Sequence, residues 1–131
     1  MEFKRYGIFV HTAKPYETAI EATKAALKDE GFGVLTEIDV KETMRQKLGV
    51  EFRPYVIFGA CNPQLAHRAL EAELDIGLLL PCNVVVYEDG DGCTIAALDP
   101  ATLTGLTANE ALRGIAVEAR ARLMRALQAA A

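Results

Sequence analysis

The order of apolar runs and turn signals predicts an α+β domain of two layers, with a mixed or antiparallel sheet covered by helices mainly on one face. Short β-rich runs alternate with stretches of helical periodicity through the first half of the chain. Asp89-Gly90-Asp91-Gly92 then marks a hairpin, which demands antiparallel pairing. A long amphipathic stretch follows and predicts a C-terminal helix. At 131 residues the chain is expected to be a single domain, 1–131, able to bury a core without metal or disulfide support.

Tyr6 to His11 is rich in Ile, Phe and Val and reads as the first strand. Pro15 suits a first helical position, and Ala19, Ala22, Thr23, Ala26 and Leu27 share one face of the helix it would open. Gly31 ends that helix, and Val34 to Ile38 is a second strand. Asp39 caps a second helix that Gly49 closes. Tyr55 to Ala60 is a third strand, after which Asn62 as cap and Pro63 as first residue start a helix with Leu65, Ala66, Ala69 and Leu70 inward. Val84 to Glu88 and Thr94 to Leu98 are the arms of the hairpin. Thr107-Ala108-Asn109-Glu110 has the form of a capping box, opening a helix with Leu112, Ile115, Ala116, Ala119 and Leu123 inward and an alanine-rich end expected to fray.

A net charge of −4 argues against nucleic-acid and anionic-membrane partners, since both need clustered positive charge. Lys41, Arg45 and Lys47 lie close together, but Glu42 among them makes this a solvated helix face. No stretch is apolar for the about 20 residues a membrane span needs, and the beginning of the sequence lacks the run expected of a signal peptide. Three cysteines without an export signal predict free thiols in a reducing cytoplasm.

Four segments carry a resemblance. They are Gly31-Phe32-Gly33-Val34 with Glu37-Ile38-Asp39-Val40, Gly59-Ala60-Cys61-Asn62-Pro63, Leu80-Pro81-Cys82-Asn83-Val84-Val85-Val86, and Asp99-Pro100. In this order and over nearly the whole chain they resemble the domain-of-unknown-function 302 family. The resemblance implies a fold like the TATA-box-binding-protein-like α+β class, and a homodimer. It carries no DNA-binding inference and no activity, because a shared fold does not transfer function.

Two Cys-Asn dipeptides, Cys61-Asn62 and Cys82-Asn83, mark the junctions where strands meet turns, and they supply the candidate site. Cys61 precedes a helix N-terminus, where a thiolate is stabilised, or it is a small apolar residue packed beneath the helix. His67, one turn into that helix, could serve Cys61 as a base, or join Cys61 and Cys82 as a soft-metal ligand; the spacing matches no standard zinc motif. Parallel neighbouring strands would separate Cys61 from Cys82, whereas antiparallel ones would bring them to the same end. Asn83 has no capping role and either hydrogen-bonds a turn or faces a ligand, and Glu37 is a lone acid once Asp39 serves as cap. Asp89 and Asp91 lack the remaining ligands of a calcium loop.

The expected function is therefore a small-ligand- or partner-binding homodimeric module, with Cys61, Asn62, Cys82, Asn83 and Glu37 as ligand-binding candidates and no identifiable cofactor. The alternatives are a thiol- or metal-dependent redox protein using Cys61, His67 and Cys82, and a purely structural dimer.

Overall fold

The computed structural model describes residues 1–131. Its six strands form one sheet in the order β1-β2-β6-β5-β4-β3, antiparallel at every pairing. They are β1 (Glu2–Lys4), β2 (Gly7–Thr12), β3 (Gly33–Asp39), β4 (Tyr55–Cys61), β5 (Cys82–Asp89) and β6 (Gly92–Leu98). Among them run α1 (Tyr16–Asp29), α2 (Val40–Leu48), α3 (Pro63–Ala72), a 3-10 segment (Leu74–Leu79) and the short α4 (Ala101–Thr104), and α5 (Ala111–Ala130) ends the chain. No helix is long and apolar enough to cross a membrane.

The strand alternation sorts residues between two faces. Ile8, Val10, Phe58, Val84, Val86 and Ile95 are buried against Ala19, Ala26, Leu27, Leu123, Ala126 and Leu127 of α1 and α5, and these residues make the main core. The other face carries Ile38, Ile57, Val85, Ala96 and Phe9 in one register row across β3, β4, β5, β6 and β2. Beside it Tyr55 and Tyr87 stack, their ring centroids 5.1 Å apart.

Local capping rules hold where one short segment decides the geometry. Asp39 accepts from the Glu42 amide at 3.0 Å and Asn62 from the Leu65 amide at 3.2 Å. Gly31 sits at φ +86, with its own amide bonded to the Lys28 carbonyl and the Phe32 amide to that of Leu27, which is a Schellman end to α1.

Four expectations are corrected. Pro15 lies just before α1 as its cap residue, with Tyr16 the first helical residue. The segment Glu2–Lys4, not foreseen as a strand, pairs with β2 at the edge of the sheet. The capping box at Thr107 does not form: Thr107 donates to Glu73 Oε1 at 2.8 Å, Asn109 accepts from the Ala111 amide, and α5 starts there. The alanine-rich end does not fray either, since Ala126 and Ala130 are 1% exposed and Lys14 Nζ grips the Ala130 carbonyl at 2.8 Å.

Candidate functional site

The antiparallel register decides what the sequence left open. Ala60 of β4 lies opposite Cys82 of β5, so Cys61 and Cys82 fall at the same end of neighbouring strands. Both line one cavity of about 300 Å³, together with Asn62. Its floor is Phe32, Leu35 and Ala60 at the ends of β3 and β4. Its walls are Leu65, Ala69 and Leu70 of α3, Ile76 and Leu80 around the 3-10 segment, Leu103 and Thr104 of α4, and Leu112, Ile115, Ala116 and Ala119 of α5. No charged side chain is among the 21 lining residues, and 16 are hydrophobic.

The cavity separates the main core from a small satellite cluster of Ala69, Ile76 and Leu112, with Leu79, Leu80 and Ile115 packed against it. Hydrogen bonds hold this satellite in place. Thr107 and Asn109 reach the end of α3 through Glu73 Oε1 and the Ala72 carbonyl, each at 2.8 Å. Asp99 ties α4 to α5, because its Oδ1 accepts from the Ala101 amide at 3.0 Å and from Arg120 Nε at 2.9 Å.

The electrostatics are those of a neutral pocket. Burial, with the nearby Cys61 adding to it, pushes the Cys82 thiol from the usual 9.0 to about 11. Cys82 is therefore a protonated thiol at neutral pH. All three cysteines are free, and Cys93 lies elsewhere, in the main core. Burial raises the Cys93 thiol too, with Glu88 adding to it.

The other candidate residues stand apart from this cavity. His67 is on the solvent side of α3, its side chain 75% exposed and its Nε2 3.0 Å from Glu71 Oε1, so it neither lines the cavity nor stands as a base to Cys61. Asn83 lies opposite Gly59 on the other face of the sheet from Cys82 and is exposed. Glu37 is exposed on β3 and pairs with Lys24 at 3.3 Å. Cys61, His67 and Cys82 are thus not gathered as ligands, and no cluster of three or more His, Cys, Asp or Glu side chains has the arrangement of a metal site.

What sequence reasoning missed is the part of the wall formed by the 3-10 segment and α4. Leu74 to Leu80 carries no helical or strand period, and α4 is a single turn, so neither announced itself as an element. One available signal was Pro100, which starts a turn directly after β6.

The comparisons agree with this architecture. The chain is similar to the crystal structure of an uncharacterized conserved protein DUF302 from Bacillus stearothermophilus, with 35% identity and a TM-score of 0.90 over 98% of this chain and all of that one. No curated protein matches the chain. The model of the family described as "Domain of unknown function DUF302" matches residues 8–130, so the chain belongs to the DUF302 family.

Proposed function

We propose that this protein is a binding module that holds a small, mainly apolar molecule in the cavity between the strand ends and the satellite cluster. The observation that carries this reading is the cavity itself. Small molecules bury most of their surface in apolar recesses of this kind, and a cavity of about 150 Å³ already holds benzene. A volume of about 300 Å³ with apolar walls is a recess that an apolar ligand fills favourably. Of the candidate residues, Cys61, Asn62 and Cys82 contact the ligand in this reading, while Asn83, Glu37 and His67 do not.

The test is titration with a neutral, polarity-sensitive naphthalene probe, followed by its emission. Saturable binding of one probe per chain is expected, and its loss in Ala116→Phe, which fills the cavity from α5. No saturable binding, or equal binding by the variant, would refute the reading.

The homodimer forms part of the same proposal, with the open sheet face as the surface a second copy covers. The row Ile38, Ile57, Val85, Ala96 and Phe9 is uncharged, and Ile38 is 48% exposed. At its β1 edge the row meets Glu2, opposite Phe9, and Lys4 lies 3.7 Å from that carboxylate, so the charge there is balanced within one copy. Sedimentation equilibrium should give a dimer for the wild type and a monomer for Val85→Glu. A wild-type monomer at micromolar concentration would remove this part of the proposal.

The thiol-redox alternative keeps one supporting observation, the meeting of Cys61 and Cys82. It lacks a base, because His67 faces solvent, and the Cys82 thiol resists ionisation. Three free cysteines accord with the proposed cytoplasmic setting.

A further inference from the structure

The cavity wall carries an amide donor that no protein group accepts from. Asn62 is 8% exposed and lines the cavity. Its Oδ1 is committed to the Leu65 amide at 3.2 Å, while its Nδ2 donates to no group in the protein. No fully enclosed side-chain polar atom in the molecule lacks a hydrogen bond, so Nδ2 borders open volume. Gly31 leaves room for it, since a Cβ at that position would come within 2.8 Å of Nδ2. The other polar wall residues do not compete with it. The Thr104 hydroxyl donates to the Ala101 carbonyl at 2.8 Å, and the Cys61 and Cys82 thiols are weak donors.

We infer that the ligand is uncharged and carries a hydrogen-bond acceptor at one end, as a ketone, ester or amide carbonyl on an apolar body, and that Asn62 Nδ2 donates to that acceptor. This rests on the cavity being a ligand site. The lining offers no charged residue to compensate an ion, so a carboxylate or ammonium would enter at a large desolvation cost. It does offer an amide donor free of protein partners and held in place by the capping bond on its other atom. An analogue that fills the cavity without an acceptor displaces water from this donor and leaves it unpaired, which discriminates against that analogue. By the benzene comparison, the volume fits a body of about a dozen heavy atoms.

Three matched probes test the inference by calorimetry: 2-acetylnaphthalene, 2-ethylnaphthalene and 2-naphthoate. The wild type should bind the acetyl compound about tenfold more tightly than the ethyl compound and should bind the naphthoate least. Asn62→Asp keeps an oxygen to cap α3, Asn62→Gly is tolerated at a cap position, and both remove the side-chain donor. In each the acetyl preference should vanish while the ethyl compound still binds. Two variants guard against misfolding of one, and circular dichroism checks both. Equal wild-type affinities for the acetyl and ethyl compounds, or a preference that survives in both variants, overturn the acceptor assignment while leaving the cavity reading intact. Absence of binding by any probe overturns the cavity reading and this inference with it.

Discussion

Raising the pH offers a direct test of the environment assigned to Cys82. Burial, helped by Cys61, moves this thiol from the usual 9.0 to about 11. Below pH 9 its thiolate is then about 100-fold scarcer than that of an ordinary thiol, by the two-unit difference. A more basic thiolate is also a better nucleophile, which recovers up to about tenfold, so alkylation at pH 8 should be about tenfold slower from ionisation alone. The assay is iodoacetamide labelling followed by peptide mass spectrometry from pH 7 to 11, with unfolded protein as the reference. Cys82 in the folded protein should gain about tenfold in rate per pH unit up to about 11, whereas the unfolded reference levels off near 9. The same shift affects stability. The unfolded chain releases this proton from about pH 9 and the folded chain holds it to about 11, so the contribution is complete below 9 and is lost on going up to 11. Allowing for partial solvent access, the loss is about 2 kcal/mol, and Cys82→Ala should flatten that stretch of the stability curve. A labelling profile that levels off near pH 9 in the folded protein would refute the buried, neutral thiol and reopen the thiol-chemistry alternative.

Other substitutions test the framework around the site. Phe58→Ala empties a fully buried position on β4 and should cost about 3–5 kcal/mol in urea unfolding. Gly31→Ala forces a side chain at φ +86 towards Asn62, and should destabilise by about 1–2 kcal/mol while weakening probe binding. His67→Ala should change stability by less than about 0.5 kcal/mol and leave probe affinity unchanged, since the side chain and its Glu71 partner are both exposed. A measurable effect on binding would place His67 at the site after all. Thr107→Val removes the hydroxyl that reaches Glu73, and should speed probe release more than it lowers the global melting temperature.

Legibility in the sequence followed the distance over which each feature is decided. Asn62-Pro63, Asp39 and Gly31 were readable because a cap or a left-handed turn is settled within four or five residues. The strands β2 to β6 were readable from their β-rich runs and the turn residues that bound them, and the inward stripe of α5 from its period. Thr107 failed because a partner far away in sequence, Glu73, captures the hydroxyl that the local rule assigns to the helix. The end of α5 failed likewise, because its order comes from Lys14 and from burial rather than from its own alanines. The convergence of Cys61 with Cys82 depends on strand direction, which neither segment encodes by itself. His67 and Asn83 were plausible by residue type, yet lie on the wrong side of their elements. The stripe of Leu65, Ala66, Ala69 and Leu70 already set His67 at the edge of the inward face, whereas nothing beside Asn83 separated inward from outward.

The strand order has a kinetic consequence. β3, β4, β5 and β6 are sequential neighbours in space and can assemble as a meander, each from its predecessor. The β2–β6 seam instead joins Gly7 to Leu98, the most widely separated segments of any pairing in the sheet. Ring closure over so much chain carries the largest entropic penalty of any pairing in the sheet, and slow folding accompanies such distant contacts. The β2–β6 seam is accordingly expected to be the last pairing of the sheet to form, with the β1–β2 hairpin docking through it.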